Sequence, residues 1–395
     1  MNIGMILDNA FPPDPRVENE AFTLINNGHA IYLFCLDYSH EQKEHEVING
    51  INIFRERLPK HLYRFSALAY TFPYYHRFLQ NGIYDFIKNN DIQALHIHDI
   101  QVARSVFNIN KKLKLPIVLD LHENRPEIMK SYPYVTEGPG KFLINPERWK
   151  KFEYQYIKRA DKVIVVTGEA KKHYLDNISL SAEKIHVVPN FVRPGFNTAY
   201  EPDNDIIKRY RDRYVILYIG DTGLRRGLAT AINSLDLLVP EIPDILLLFI
   251  GKSKTDYRLK DMVRKNKMEK YVEFAGWQDK SLFPSFLIAS RIGICPIHRN
   301  LHHDTTYANK LFQYMAFGRP IVVSNCTAQE NLVNKYQCGM VFRDRDTRDF
   351  ANKILALYRD TKLYERLSGN AVRAIESRLN WEKAGNDLVK LYKEL

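Results

Sequence analysis

The chain has 395 residues, of which 45% are hydrophobic and 26% charged, and a formal net charge of +11 at pH 7. A chain of this length is too long for one ordinary hydrophobic core, which predicts two domains. The sequence shows neither a secretory leader nor a long apolar run, which predicts a cytoplasmic protein without a transmembrane helix. The positive charge indicates an anionic partner. No zinc-finger, basic-zipper or RNP motif favours nucleic acid, so phosphate-bearing small molecules and anionic lipids remain as the candidate partners.

Short apolar segments alternate with amphipathic, helix-length stretches, a pattern typical of doubly wound parallel α/β sheets. The predicted strands are Ile3–Leu7, Ile31–Cys35, Leu95–Ile97, Ile117–Leu119, Val163–Val166 and Ile185–Val188, then Val215–Ile219, Ile245–Ile250, Val272–Phe274, Ile292–Cys295, Ile321–Val323 and Met340–Phe342. We therefore predict Rossmann-like domains at 1–190 and 205–378, a Pro- and Asn-rich linker at 191–204, and a closing helical segment at 379–395. Ligands of such sheets bind beyond the carboxyl ends of the strands.

The first loop of interest is rich in proline and precedes a helix that begins near Val17. Prolines restrict the backbone of this loop, so it should keep one shape. We expect Pro13, Asp14 and Arg16 to line a ligand cleft.

Titratable residues follow two further strands. His122 and Glu123 come after the strand Ile117–Leu119, at its carboxyl end. His96 and His98 are two residues apart and could share one strand face, which is compatible with a metal site. Neither their neighbours in the sequence nor the four scattered cysteines supply a full ligand set, so we predict neutral, hydrogen-bonded histidines, reduced thiols and no metal.

Residues 55–78 combine five Lys or Arg residues with one Glu and seven aromatic residues. Cations at lipid phosphates and rings at the interface would suit a peripheral contact with anionic membrane. The alternative is an ordinary domain helix whose aromatic residues belong to the core.

The second half carries two loops of unusual composition. Gly220–Gly227 bears glycines and places Arg225 and Arg226 near a helix N-terminus, which suits a phosphate, although a plain turn has the same composition. In the next loop, Trp277 could stack on a flat base or could pack in the core.

The segment from Asn309 to Ser324 reads as a helix, a stop and a buried strand. Asn309 is the predicted cap of this helix, and Gly318 supplies a left-handed end. Lys310 then lies in the first turn, where a cation opposes the helix dipole but can share an anion with free N–H groups. The alternative is a solvated surface lysine.

Taken together, these motifs resemble the GT-B glycosyltransferases, and within them glycosyltransferase family 4. The segments that carry the resemblance are Phe11–Glu20, Asn27–His29, His98–Asp99, Asp120–Glu123, Ala160–Thr167, Val187–Asn190, Leu217–Gly227, Lys310–Pro320 and a final helix near Asn380. The resemblance implies two facing Rossmann-like domains, with the last helix crossing back to the first domain. It also implies a retaining hexosyltransferase without a metal cofactor, acting in surface polysaccharide or cell-wall assembly.

The family's expected ligands and site residues follow from the same resemblance. The second domain would bind a nucleotide sugar of the UDP or GDP type, and the first a glycan or lipid-linked acceptor at the inner face of the plasma membrane. The donor-binding residues would be Gly220, Arg226, Gly251, Trp277, Lys310 and Gln313. His122, near the reacting sugar, and Glu123 would be catalytic.

Three positions depart from the family pattern. Many members carry two glutamates eight residues apart, where this chain has Thr305 and Gln313. Asp304 could supply the missing carboxylate, and Gln313 can still hydrogen-bond a ribose hydroxyl. Asp221 stands where arginine is common. These departures keep two alternatives open, a non-catalytic subunit that binds nucleotide sugar or glycan, and a GT-B sugar-nucleotide epimerase.

Overall fold

The structure is a computed structural model that describes residues 1–59, 62–63, 65–138 and 140–395. It divides into two compact units, Met1–Asn190 with Ala384–Leu395, and Phe191–Lys383. Within the described residues, no helix is both long and apolar enough to cross a bilayer. Lys60, His61 and Arg64 of the basic and aromatic region lie outside the described residues.

An eight-stranded sheet forms the centre of the first unit. Its strands are β1 Asn2–Leu7, β2 Ala30–Asp37, β3 His45–Ile48, β4 Ile51–Arg57, β5 Ala94–His98, β6 Ile117–Leu121, β7 Lys162–Val165 and β8 Ile185–Val187. They are arranged in the order β3-β4-β2-β1-β5-β6-β7-β8, and only β3 runs antiparallel to its neighbour. The six strands predicted here are confirmed, whereas β3 and β4 were not predicted.

Helices cover the sheet and close the core of the first unit. They are α1 Pro15–Ile25, α2 Tyr74–Asn89, α3 Ala103–Leu113, α4 Arg125–Met129, α5 Pro133–Thr136, α6 Gly140–Leu143, α7 Pro146–Arg159 and α8 Gly168–Asn177. The central strands β1, β5 and β6 are almost entirely buried because both of their faces are covered, and their buried polar residues are His96, His98 and Asp120. Asp14 caps α1 by accepting hydrogen bonds from the backbone N–H groups of Arg16 and Val17.

The second unit contains a six-stranded sheet that is parallel throughout. Its strands are β9 Tyr214–Ile219, β10 Ile245–Ile250, β11 Val272–Gly276, β12 Ile292–Cys295, β13 Ile321–Ser324 and β14 Gly339–Phe342. All six were predicted, and their order is β11-β10-β9-β12-β13-β14. The strand order reverses between β9 and β12, and between β1 and β5 in the first unit, so ligand crevices are expected at these two places.

The helices of the second unit follow the same alternation with strands. They are α9 Asn204–Arg209, α10 Leu228–Asn233, α11 Leu235–Leu238, α12 Asp256–Lys265, α13 Phe283–Ala289, α14 Leu301–Asp304, α15 Lys310–Ala316, α16 Thr327–Tyr336, α17 Thr347–Arg359 and α18 Thr361–Ser377, followed by α19 Trp381–Lys393. Residues of α19 from Ala384 onward group with the first unit.

The predicted helix at Lys310 is present, but its predicted cap is wrong. Asn309 already has helical backbone angles (φ −53°, ψ −31°), and its side chain makes no capping hydrogen bond. Gly318 has φ +63°, as predicted for the left-handed residue that ends the segment.

Residues 55–78 do not form one surface, which corrects the membrane interpretation of this region. Arg55 lies on β4, is 5% exposed and donates to the Phe11 carbonyl, because strand alternation turns it inward. Tyr70 and Tyr75 belong to the core. The exposed aromatic residues that remain are Tyr63, Phe65, Phe72, Tyr74 and Phe78.

Candidate active site

A buried ion-pair cluster lies beneath the carboxyl ends of β1, β5 and β6. The Arg16 guanidinium binds both Asp120 carboxylate oxygens, at 2.6 and 2.9 Å, and lies 2.9 Å from Glu20 Oε1. Its remaining nitrogen donates to the Val188 carbonyl at 3.0 Å. Arg16 is only 3% exposed, so the expectation that it lines an acceptor loop is wrong: two buried carboxylates hold it inward. Pro13, in contrast, is exposed.

The two β5 histidines pack against this cluster. His96 Nε2 lies 3.2 Å from Glu20 Oε2, and His98 Nδ1 lies 3.3 Å from Asp120 Oδ2. Burial alone would lower the pKa of His96, but the contacts with Asp120 and Glu20 raise it above the ordinary value. The pKa of His98 is lowered by burial and by the neighbouring His96. The two carboxylates therefore favour the charged form of His96, whereas the surroundings of His98 disfavour its charged form.

The same four residues also have the composition of a metal site. Glu20, His96, His98 and Asp120 offer ligand atoms that all lie within 4.8 Å of one another, because the fold adds two carboxylates that are distant from the histidines in the sequence. Arg16 already pairs with both carboxylates, and a metal ion would have to displace its guanidinium. This arrangement favours an internally balanced charge cluster.

His122 connects this cluster to the surface. Its Nε2 lies 2.7 Å from Asp120 Oδ2, and its Nδ1 lies 3.5 Å from Asp99 Oδ2. Burial would lower the pKa of His122, but Asp99 and Asp120 raise it to about 10, so the ring is an imidazolium at neutral pH. The side chain is 19% exposed, and the longer Nδ1 contact leaves that edge able to donate to a ligand oxygen.

Two further titratable residues lie near His122. Glu123 forms an ion pair with Arg125 at 3.2 Å. Asp8, which was not predicted, directly follows β1 and accepts a hydrogen bond from the Tyr75 hydroxyl. Burial raises the pKa of Asp8 to about 8, so this carboxyl can hold a proton at neutral pH. Its place immediately after a predicted strand was the signal available in the sequence.

In the second unit, a glycine with positive φ lies at the carboxyl end of each of the three adjacent strands β9, β10 and β11. Gly220, Gly251 and Gly276 have φ values of +127°, +129° and +70°. A Cβ at Gly251 would lie 1.9 Å from the Gly220 carbonyl oxygen, and one at Gly220 would lie 3.1 Å from Lys310 Nζ. A side chain at Gly251 is thus excluded from this edge of the sheet by the backbone, and one at Gly220 would crowd the Lys310 side chain.

Lys310 is buried beside this edge. It is 9% exposed, its Nζ lies 3.5 Å from the centroid of the Tyr218 ring, and no carboxylate among the described residues lies within ion-pair distance. The alternative of a solvated surface lysine is therefore wrong. Burial, together with the positive charges of Arg226 and Arg225, lowers the pKa of Lys310 to about 7.

Arg226 lies in the short turn Leu224–Arg226 that precedes α10. Its Nε and the Arg225 Nη2 each lie 3.4 Å from Asp221 Oδ2. These contacts are long, and all three side chains keep some exposure. Asp221 therefore pairs with the arginines of the loop weakly enough for a stronger anion to compete.

The remaining predicted donor residues occupy different environments. Trp277 is 64% exposed, which excludes the alternative that it packs in the core. Gln313 is half-buried and lies three residues after Lys310 on α15, on the same side of the helix. Asp304 accepts a hydrogen bond from the Thr327 backbone and pairs with Arg299 at 3.2 Å, so its carboxylate anchors the start of α16. Thr305 is buried.

Two family models match consecutive parts of the chain. The model described as "Glycosyltransferase Family 4" matches residues 16–196, and the one described as "Glycosyl transferases group 1" matches residues 200–373. The capsular polysaccharide biosynthesis glycosyltransferase CapM of Staphylococcus aureus is 21% identical over 337 residues, which cover 78% of this chain and 86% of CapM.

Solved structures agree with this assignment at the level of the fold. Sucrose-phosphate synthase from Thermosynechococcus elongatus superposes with a TM-score of 0.79 at 16% identity, covering 100% of this chain and 98% of its own. Anabaena Alr3699/HepE in complex with UDP gives 0.76 at 14% identity and covers both chains completely. The two parallel α/β units therefore have the GT-B fold. The chain is therefore a glycosyltransferase that combines a family-4 domain with a group-1 domain.

The lowered pKa of Lys310 gives a testable consequence for stability. Lys310→Met should raise the free energy of unfolding at pH 7, because the unfolded chain restores the ordinary lysine pKa of 10.5 from the folded value of about 7. The gain is at most about 4–5 kcal/mol, at about 1.4 kcal/mol per pKa unit, and loss of the Tyr218 contact reduces it. It is fully present below pH 7 and disappears as the pH approaches 10.5.

Urea unfolding between pH 6 and 10 measures this difference. The matched control is Lys335→Met, because Lys335 is exposed beside the Tyr336 ring and carries no burial penalty. A Lys310→Met variant that is destabilised equally at every pH would contradict the account.

Proposed function

We propose that this glycosyltransferase moves a sugar from a nucleoside diphosphate sugar, of the UDP or GDP type, to a glycan or lipid-linked acceptor with retention of configuration. The observation that carries the proposal is the buried Lys310 ammonium, which lies beside a glycine edge and has no carboxylate partner among the described residues. A buried cation of this kind is stabilised when an anion binds to it. A diphosphate suits the site because Arg226 is close enough to lower the pKa of Lys310.

In the proposed step, the bond between the sugar C1 and the diphosphate oxygen breaks. A bond from the acceptor oxygen to C1 forms on the same face of the sugar, and the acceptor proton passes to the departing diphosphate. Lys310 and Arg226 would stabilise the negative charge that grows on that group, so the proposed step needs no metal ion. Gln313 would hydrogen-bond the ribose, Trp277 would stack on the base, and Gly220 and Gly251 would let the backbone approach the donor.

The first unit would contribute His122 near the reacting sugar. An imidazolium at the surface can donate a hydrogen bond to a sugar hydroxyl or to a charged oxygen. Glu123 is its neighbour, and Pro13 and Asp14 would border the acceptor. The relatives support the ligand classes, since HepE has been solved with UDP-glucose and CapM is named for capsular polysaccharide biosynthesis. Surface polysaccharide or cell-wall assembly is therefore the proposed process.

Binding and turnover measurements with UDP-glucose and GDP-mannose test this function. Arg226→Ala and Lys310→Ala should each weaken binding of the preferred nucleotide by roughly 1.5–3 kcal/mol, the range for hydrogen bonds to charged groups. His122→Ala should keep nucleotide affinity and lower turnover, because its contact is used mainly in the transition state. Arg264→Ala, at an exposed site on α12, is the control that should change neither quantity.

Two outcomes would contradict the proposal. Unchanged nucleotide affinity in both cation variants would remove the diphosphate site. Tight nucleotide binding with neither transfer nor donor hydrolysis would favour the non-catalytic subunit that Thr305 and Gln313 suggest.

We also propose that an exposed aromatic face of the first unit contacts anionic membrane. Phe142 is 85% exposed and Tyr74 is 71% exposed, and a hydrogen bond of 2.8 Å from Thr71 Oγ1 to the Leu143 carbonyl joins their two segments. Arg77, close to Tyr74 in the chain, is exposed as well. Exposed rings beside cations suit the interface of an anionic bilayer. This face replaces the continuous region 55–78 that was predicted.

Vesicle sedimentation with and without acidic lipid tests the membrane contact. Phe142→Ser should weaken binding to acidic vesicles about tenfold or more, since burying a phenylalanine side chain is worth roughly 1.5–3 kcal/mol. Added salt should weaken the binding further. Tyr358→Ser, at an exposed ring of the second unit, is the control. Equal binding of the wild type to neutral vesicles would contradict an electrostatic contact.

A further inference from the structure

A continuous line of buried contacts joins the last helix of the chain to His122. The Tyr392 hydroxyl, on α19, lies 2.7 Å from His96 Nδ1. The line continues from His96 through Glu20, Arg16 and Asp120 to His122, with successive polar distances of 3.2, 2.9, 2.6 and 2.7 Å. All members except His122 are at most 3% exposed.

We propose that Glu20 and Tyr392 are positioning residues that fix the charge and orientation of His122 through this line. The inference rests on the proposed function, in which His122 acts near the reacting sugar. Neither residue reaches a substrate, because Glu20 is 0% and Tyr392 is 2% exposed. Their effect must pass through other buried groups, which are Arg16 and Asp120 together with His98, whose Nδ1 lies 3.1 Å from His122 Nε2.

Tyr392 orients the first histidine of the line. The His96 ring stacks against Tyr392 at an interplanar angle of 16° and against His98 at 26°, so it has little freedom to rotate. With Nδ1 held by the Tyr392 hydroxyl, the opposite nitrogen faces Glu20 and lies 3.2 Å from its Oε2, so the two groups interact electrostatically. Removing the hydroxyl would free the ring and weaken the partner that keeps Glu20 charged.

Glu20 sets the charge balance of the cluster. Glu20 and Asp120 supply two buried negative charges, of which Arg16 neutralises one. The second is balanced by the histidines, which favours the imidazolium of His122. The titratable and charged groups that face His122 are Asp99, Asp120, His98 and Arg16, with Glu123 adjacent in the chain. Removing the Glu20 charge leaves the cations in excess, so the proton on His122 should be held less tightly.

The test compares Glu20→Gln and Tyr392→Phe with Tyr174→Phe. The control removes a buried hydroxyl of the same unit that donates to Glu153 at 3.0 Å, outside the line. Steady-state kinetics between pH 6 and 10.5 give kcat and the donor KM, and nitrogen-15 NMR of the His122 ring gives its titration without any need for activity.

For Glu20→Gln we expect kcat to fall about tenfold or more, with the donor KM changed less than about twofold, because the line acts on the transition state. The alkaline limb of kcat and the His122 titration should both move to lower pH by about one unit. Tyr392→Phe should change kcat, the alkaline limb of kcat and the His122 titration in the same direction by a smaller amount. Tyr174→Phe should match the wild type.

Several results would overturn the inference. They are an unchanged His122 titration in both variants, equal losses in Tyr174→Phe, or a metal ion in the purified wild type that Glu20→Gln loses. If Glu20→Gln does not fold, Tyr392→Phe decides alone. If the wild type transfers no sugar, the proposed function fails, while the NMR titration still decides whether Glu20 and Tyr392 control His122.

Discussion

The free-energy cost of burying charge governs the chemistry of both units. An isolated buried ion is unstable unless it is paired, and breaking a buried pair by removing one partner commonly costs about 3–5 kcal/mol. In the first unit, Arg16 binds Asp120 through two parallel contacts and also pairs with Glu20. This pairing connects α1 to β6 across 104 positions of the sequence.

The two units solve the problem of buried charge differently. The first balances its charges internally, which holds His122 as a cation in one orientation. The second leaves the Lys310 ammonium over the Tyr218 ring without a carboxylate partner among the described residues. We interpret this imbalance as stability given up for function, since the missing partner would be the diphosphate of the donor. A group that is already in position, and that is charged once the anion is bound, needs little reorganisation when negative charge develops beside it.

The sequence predicted most of the fold because its strands are short, apolar and separated by helix-length segments. It did not predict β3 and β4, since β4 ends in Arg55, Glu56 and Arg57, which resemble a solvated surface. An anion-binding role for Lys310 could be predicted, because a cation is unfavourable at the start of a helix unless it shares an anion there. The burial of Arg16 and Glu20 could not be predicted, because an ion pair four residues apart usually lies on an exposed helix face. Here the contact of Arg16 with the distant Asp120 places the pair in the interior.

In the proposed function, Lys310 receives the diphosphate of a nucleotide donor, and proton uptake on binding tests this role most directly. At pH 8, above the Lys310 pKa of about 7, most of this amine is neutral until an anion binds. Calorimetric titration with UDP in buffers of different ionisation enthalpy should show uptake of about one proton, since the bound anion restores the charge on Lys310. Lys310→Met should lose that uptake. UDP binding without proton uptake, or uptake that persists in Lys310→Met, would contradict the account.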